Sequence, residues 1–195
     1  MTLLAVPRCE KQVERALNIN ISIYHANQCD PKRCTGLKLK RRGYARIVTR
    51  TRYLPKKAIV LNPFSEIAFS PADRERVAEA GLVALDCSWE HAEKVLSHHV
   101  RGTSRCLPVL LAGNPTNYAK ATKLSTAEAL AGALYIAGYK DEAKQMLSIF
   151  TWGHTFFELN VMLLDDYAAA KDSTGVVAVM HSKLGGKKEV SGKDS

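Results

Sequence analysis

The stretch "LDCSWEHA", Leu85–Ala92, places an acid, a thiol, a hydroxyl and an indole where a run of apolar residues ends. A buried strand would avoid such polarity, and an ordinary surface loop has no need of a tryptophan. Asp86 can attract a cation, accept a proton or cap the helix that follows. Trp89 can form the flat wall of a pocket or simply pack between helices. The stretch is a candidate pocket edge, with both structural alternatives open.

Three more polar loops follow predicted strands. They read "CDPKRCTG" after the first strand, "NPFSE" after "IVL", and "GNPTNYAKATKLST" after "VLLA". The carboxyl ends of parallel strands lie at one edge of a sheet, and ligands of α/β proteins bind there. We therefore expect the four loops to meet on one side of the molecule.

The elements that hold these loops alternate between strand and helix. Apolar residues at Ile19, Ile21 and Ile23 predict a first strand, and "ARIVT", "KAIVLNP", "LVALDCS" and "LPVLLAG" predict others. Helices are predicted in the basic segment after the first loop, in "PADRERVAEAG" between Ser70 and Gly81, and in "WEHAEKVLSHH". This alternation predicts an α/β fold with parallel pairing.

After Gly113 the sequence pattern changes from alternating strands and helices to helices alone. Ser125 and Glu128 form a capping box ahead of "AEALAGALYIAG", and Gly138 ends that helix. "KDEAKQMLSIFTW" and "HTFFELNVMLLDDYAAAK" continue as amphipathic helices. Residues 1–17 and 186–195 have the composition of flexible ends.

The charge of the chain points to a polyanionic partner. Lys and Arg outnumber Asp and Glu by 28 to 19, which gives a formal charge of +9 over 195 residues. Cations are concentrated between Lys32 and Lys57, where no acid follows Asp30 until Glu66. The block is either a solvated basic face or a nucleic-acid surface, and its length favours nucleic acid.

Several functional classes are excluded or disfavoured. No apolar run is long enough to cross a bilayer. The five cysteines lack paired metal-ligand spacing, and this predicts reduced thiols, no metal and a cytoplasmic protein. His98 and His99 are interpreted as charge partners of a helix end. No glycine-rich phosphate loop and no "GxSxG" motif occurs. A ligand that carries adenine without phosphate fits this pattern.

Five segments, matched in order and spacing, carry a family resemblance. They are "NQCDPKRCTG", "AIVLNPFSE", "LDCSW", "RCLPVLLAGNPTNYAKATKLSTAEALAGAL" and "FTWGHTFFELN". Between Asn18 and Tyr167 the chain resembles the S-adenosylmethionine-dependent 18S/16S rRNA aminocarboxypropyltransferases, which modify a pseudouridine of the small ribosomal subunit. The resemblance implies that the partner is small-subunit rRNA or a pre-ribosomal particle, and that the protein is a monomer.

The same resemblance implies a SPOUT-like fold. We expect a parallel five-stranded α/β domain over residues 18–106 and a mainly helical domain over residues 107–185. The second domain would complete a deep trefoil knot and the cofactor pocket. Knots are too rare to be predicted from periodicity, so this expectation depends on the family alone.

The resemblance also implies which residues hold S-adenosylmethionine, largely through the main chain. Thr122 stands where the family pattern leads us to expect an aromatic residue, so its contact would come from the backbone. The residues implied for the amino-acid end, the ribose and the adenine are Thr35, Leu85, Leu107, Thr122 and Thr126. The apolar walls implied are Leu61, Pro63, Trp89, Ala92 and Leu124.

The implied reaction presents the aminocarboxypropyl carbon of the sulfonium to a ring nitrogen of the base. Asp86 would attract the sulfonium or accept the imide proton, and we favour positioning and electrostatics. The basic block would hold rRNA phosphates through Arg33, Lys38, Arg41 and Arg42. A SPOUT-like rRNA methyltransferase and a non-catalytic ribosome-assembly factor are the two alternatives.

Overall fold

The computed structural model describes residues 18–26, 30–31, 33–86 and 102–184. The predicted helix "WEHAEKVLSHH", the predicted flexible ends, and Trp89 and Ala92 all lie outside these residues. Within the described part, no helix is both long and apolar enough to span a membrane.

The core of the fold is a five-stranded sheet in which every neighbouring pair runs parallel, with the order β2-β1-β4-β3-β5. The predicted α/β class and parallel pairing are therefore confirmed. The strands are β1 Ile21–His25, β2 Arg46–Val48, β3 Ile59–Leu61, β4 Leu82–Asp86 and β5 Thr103–Arg105.

The inner strands are buried on both faces, as parallel strands covered by helices must be. All five residues of β1 are buried, and so are all three residues of β3. One face contributes Ile23, Ile59 and Leu82 to the larger core cluster, while Val60 and Val83 belong to a smaller cluster on the other side.

The described residues contain six helices, and five of them follow the pattern that the sequence predicts, whereas Ser173–Leu184 lies in a region predicted only as mainly helical. The one between Ser70 and Gly81 begins as a 3₁₀ turn, Pro71–Asp73, capped by Ser70, and ends at Gly81 with a φ of 87°. A second 3₁₀ turn covers Thr51–Tyr53. The helices are α1 Thr35–Arg41, α2 Arg74–Ala80, α3 Thr126–Ile136, α4 Lys140–Ser148, α5 Gly153–Ala169 and α6 Ser173–Leu184.

The larger core cluster joins the sheet to the C-terminal helices. It contains Ile23 and Leu82 from the strands together with Leu130, Phe156 and Tyr167 from α3 and α5. Elsewhere, an ion pair ties the sheet to the 3₁₀ turn before α2, because Arg105 of β5 donates Nε–H to both carboxylate oxygens of Asp73 at 2.9 and 3.1 Å. The carboxyl end of β5 is thereby fixed to that turn.

The prediction of a strand in "LPVLLAG" is wrong, since the fifth strand is Thr103–Arg105 and residues 107–113 form no strand. Asn160 of α5 takes the place of a neighbouring strand for Leu111. It accepts the Leu111 N–H at 2.7 Å and donates to the Leu111 carbonyl at 2.8 Å. Leu110 and Ala112 are buried in the core. An apolar run indicates that a segment is buried, but it does not indicate which groups hydrogen-bond its backbone N–H and C=O groups.

Gly113 lets this extended segment pass close to the start of α5. A Cβ atom at this position would lie 2.5 Å from the backbone nitrogen of Phe156. The absence of a side chain therefore sets how closely the segment approaches the helix.

Candidate functional site: a cleft at the carboxyl edge of the sheet

A cleft of 830 Å³ opens at the carboxyl edge of the sheet. The first loop contributes Arg33 and Cys34, the second contributes Asn62, the third Asp86 and the fourth Asn114. The predicted convergence of the four polar loops is confirmed for the described part of each loop. The volume lies within the range of pockets for small ligands and cofactors, about 300–1,000 Å³.

Every residue predicted to contact the cofactor within the described part of the chain lines this cleft. The structure brings together Thr35 at the start of α1, Leu61 and Pro63 after β3, and Leu85 and Asp86 at the end of β4. From the following segment it adds four more predicted positions: Leu107, Thr122, Leu124 and Thr126.

The four predicted RNA-binding cations divide into two groups. Arg33 and Lys38 line the cleft, whereas Arg41 and Arg42 lie on the exposed end of α1 and do not line it. The Nζ atom of Lys38 lies 4.6 Å from the ring centroid of Phe150. The basic residues therefore extend from the cleft onto the adjoining surface.

Residues 114–125, which we name the cleft loop, are anchored by a buried acid. Glu128 has no solvent exposure, and its Oε1 accepts the N–H groups of Gly113 at 2.7 Å and Asn114 at 2.9 Å. Its Oε2 accepts the Asn114 side-chain amide at 2.7 Å and the Ser125 N–H at 2.7 Å. The capping box predicted from the sequence thus also fixes both ends of the cleft loop.

The cleft loop contains two non-glycine residues in the left-handed region, Ala119 with a φ of 57° and Thr122 with a φ of 59°. Such conformations cost about 1–3 kcal/mol each and require support from the surroundings. Ala119 donates its N–H to the Ala112 carbonyl at 2.7 Å, and Thr122 donates to the Leu110 carbonyl at 3.2 Å. The Thr122 backbone is therefore held in one defined orientation at the cleft.

Asp86 is partly buried in the cleft, with its side chain 18% exposed. The Cys34 thiol donates to its Oδ2 at 3.1 Å, and Nε2 of His25 lies 3.8 Å from the same oxygen. Cys34 also caps α1, because its sulfur accepts the Leu37 N–H at 3.3 Å. The donor atoms of His25, Cys34 and Asp86 all lie within 4.8 Å of one another, a grouping that can also bind a metal ion.

Sequence reasoning missed His25 and Cys34 as partners of Asp86. They are nine positions apart, and they precede the acid by 61 and 52 positions, so no local spacing connects them to it. The available signals were a histidine at the carboxyl end of a strand and a cysteine directly before a helix. The parallel pairing of β1 with β4 sets His25 opposite Asp86.

An aromatic wall was also missed. Phe150 and Trp152 line the cleft with ring centroids 4.9 Å apart, and both belong to the segment "FTWGHTFFELN" that carries part of the resemblance. Phe64 and Tyr118 follow lining residues directly and are 50% and 58% exposed. The cleft therefore has aromatic surface inside and exposed aromatic rings at its margin.

A second thiol of the cleft, Cys106, differs from Cys34 in its contacts. Burial raises the pKa of the Cys106 thiol above its ordinary value. Its sulfur lies 3.4 Å from the Leu107 carbonyl, to which it donates. Cys106 is therefore a neutral lining group at pH 7.

Comparison with family models identifies residues 59–184 as "Ribosome biogenesis protein, C-terminal". Residues 19–53 match a model described as "Possible Fer4-like domain in RNase L inhibitor, RLI". That range contains only Cys29 and Cys34, whereas an iron–sulfur cluster bound by cysteines needs four thiolates. The cysteines of this range are therefore too few to bind such a cluster.

Curated relatives match most of the chain. A 16S rRNA aminocarboxypropyltransferase of Methanothermobacter thermautotrophicus is 49% identical over 170 residues, which is 86% of this chain and 100% of the relative. The protein of the same name in Methanosarcina mazei is 47% identical over 167 residues, which is 85% of this chain and 95% of the relative.

Among solved structures, the SAM-dependent rRNA:acp-transferase Tsr3 from Vulcanisaeta distributa matches with a TM-score of 0.76. The two sequences are 36% identical, and the match covers 87% of this chain and all of the other. The similarity therefore includes both the sheet and the C-terminal helices.

Proposed function

The chain belongs to the 16S rRNA aminocarboxypropyltransferase family, and on this premise we propose that it transfers the 3-amino-3-carboxypropyl group of S-adenosylmethionine to a pseudouridine, N-methylated or not, of small-subunit rRNA. The strongest support is the cleft, because residues distant in sequence meet there around Asp86. The name of the Vulcanisaeta structure supports S-adenosylmethionine as the donor.

The cleft suits a cofactor that combines an adenosine, a sulfonium and an amino acid. Leu61, Leu107 and Leu124 offer apolar surface, and Trp152 adds an aromatic ring. The N-terminus of α3 at Thr126 presents backbone N–H groups that favour a carboxylate. Asp86 supplies the negative charge that a cationic ligand requires in a partly buried site.

Different residues of the cleft would bind different parts of S-adenosylmethionine. Thr35 and Thr126 would fix the amino-acid end, while the backbone of Leu85, Leu107 and Thr122 would fix the ribose and the adenine. Pro63, Trp89 and Ala92 would complete the apolar walls. When bound, S-adenosylmethionine supplies an electrophilic carbon attached to a positively charged sulfur.

Asp86 would act through charge and proton transfer rather than as a nucleophile. Its carboxylate would attract and orient the cationic sulfur, or would accept the imide proton as the base nitrogen attacks. Orientation of the reacting atoms contributes most of the rate, since a well-aligned pair reacts with an effective molarity of about 10⁵ M or more. The cleft needs no nucleophile of its own for this reaction.

The rRNA would lie across the mouth of the cleft. Arg33, Lys38, Arg41 and Arg42 would contact phosphates without reading sequence, as basic side chains on nucleic acids usually do. Tyr118 and Phe64 expose rings at the margin, where an unpaired base can stack. The product would be modified rRNA together with methylthioadenosine.

The finer structural expectations belong to the same proposal. The parallel five-stranded sheet and the C-terminal helices support the SPOUT-like class that the resemblance implies. We include the trefoil knot, the division at residues 106 and 107 and the monomeric state on the strength of the family resemblance. The expected cytoplasmic location depends on the unpaired cysteine spacing instead.

Differential labelling tests the proposed function. With suitable rRNA, carboxyl-labelled S-adenosylmethionine should transfer its label to RNA and release methylthioadenosine, whereas methyl-labelled S-adenosylmethionine should leave the RNA unlabelled. The opposite pattern would establish a methyltransferase. RNA binding without label from either donor would instead indicate a non-catalytic assembly factor.

A further inference from the structure

One oxygen of the cleft acid lies beside two buried side chains. Cys34 is 6% exposed and His25 is 3% exposed, and both lie near Oδ2 of Asp86. Each comes from a different part of the first loop region, His25 from the last residue of β1 and Cys34 from the position before α1. The acid is therefore contacted by two groups that the proposed reaction has not yet used.

The direction of the hydrogen bonds follows from the single hydrogen of a thiol. Cys34 donates this hydrogen to Oδ2 of Asp86 over 3.1 Å. Its sulfur must therefore be the acceptor of the 3.4 Å contact with Nε2 of His25, so the ring donates from Nε2. A thiolate at this distance from a carboxylate would be repelled, which again places a hydrogen on the sulfur. The order of donation is His25 to Cys34 to Asp86.

The backbone of α1 at Gly36 also lies close to Oδ2 of Asp86. A Cβ atom on Gly36 would lie 2.9 Å from Oδ2 of Asp86, which is closer than real side chains come. The Leu37 N–H meanwhile fixes the sulfur at 3.3 Å. The carboxylate thus has one oxygen enclosed by the start of α1 and by His25, and this limits the rotation of its plane.

We propose that Cys34 and His25 are positioning residues that orient the Asp86 carboxylate toward the reacting atoms. The inference deepens the proposed function and rests on it. The two residues act through Asp86, so their removal should slow the chemical step and leave the affinity for S-adenosylmethionine almost unchanged. A purely structural role would instead lower the melting temperature and leave the rate constant of the folded protein intact.

Single-turnover transfer of carboxyl label, measured on the full chain with rRNA, tests the proposal. Cys34→Ala should lower the rate constant about tenfold, equivalent to about 1.4 kcal/mol, while the dissociation constant of S-adenosylmethionine changes less than about twofold. Cys34→Ser should restore most of the rate because its hydroxyl also donates. His25→Gln should retain more activity than His25→Phe, because an amide keeps a donor near the position of Nε2.

A double-mutant cycle separates positioning from a general loss of activity. Asp86→Asn should slow transfer by itself, and adding Cys34→Ala to it should cause no further loss, because the two residues act as one unit. Losses that multiply would overturn the proposal, and so would an unchanged rate in folded Cys34→Ala.

Two further outcomes would also count against the proposal. Stoichiometric zinc in the purified protein, lost in Cys34→Ala, would replace the hydrogen-bonded chain by a metal site. A wild-type protein that transfers no label would overturn both this inference and the proposed function. An active wild type with an equally active Cys34→Ala variant would overturn this inference alone.

Discussion

Replacing Glu128 with glutamine tests whether the buried carboxylate holds the cleft loop. Both of its oxygens accept two donors each, from Gly113, Asn114 and Ser125. Glutamine keeps the shape but replaces one oxygen with an amide group. If that group takes the place of Oε2, it faces the Ser125 N–H and the Asn114 amide, which are also donors.

The expected destabilisation follows from the hydrogen bonds that are lost. Hydrogen bonds to charged groups contribute about 1.5–3 kcal/mol each, so the loss of two corresponds to about 3–6 kcal/mol. Burying a neutral amide instead of a charge offsets part of this. Rotation of the Asn114 side chain would regain one bond but break the 3.1 Å bond from Asn117 N–H to Asn114 Oδ1. We expect a net loss of about 3 kcal/mol.

Urea denaturation measures this loss directly, and calorimetry with S-adenosylmethionine shows whether the cleft loop still supports binding. A loss of about 3 kcal/mol corresponds to a fall in melting temperature of about 6–12 °C for a chain of this size. Glu158→Gln is the matched control, because Glu158 is exposed on α5, and it should stay within about 0.5 kcal/mol of the wild type. A Glu128→Gln variant as stable as this control would refute the anchoring role.

Three other changes test the cleft and the core. Trp152→Ala should weaken S-adenosylmethionine binding by about 1–3 kcal/mol in calorimetry, and unchanged affinity would make the ring a packing residue only. Changing Lys38, Arg41 and Arg42 to Glu should reduce RNA affinity and flatten its salt dependence, and an identical slope would place the RNA elsewhere. Burial raises the pKa of Tyr167 to about 12, above the ordinary value of 10.0. The folded state therefore binds this proton more firmly, and the resulting stability, complete below about pH 10, is lost as the pH rises toward about 12. In urea denaturation, Tyr167→Phe should therefore lose less unfolding free energy than the wild type as the pH rises above about 10. If the variant loses as much as the wild type, other groups cause the loss.

Local patterns were sufficient for most elements of the fold. The period-two apolar residues of β1 and the start and stop residues around α2 and α3 predict elements that the structure contains. These signals work because capping and turn conformations depend on neighbouring residues. The prediction of a strand at "LPVLLAG" was wrong because it depends on a distant residue. The Leu111 backbone hydrogen-bonds the side chain of Asn160, which lies far along the chain.

The sequence by itself determined the fold class, the convergence of the polar loops and, through the family resemblance, which positions to expect around the cleft. Only the tertiary structure joined His25 and Cys34 to Asp86, and only it showed that Glu128 anchors the cleft loop as well as capping a helix. The physical reason is the range of the interactions. A cap is a contact across three residues, whereas the register of β1 against β4 brings His25 opposite Asp86. Such a contact depends on how strands pair, which no local spacing encodes.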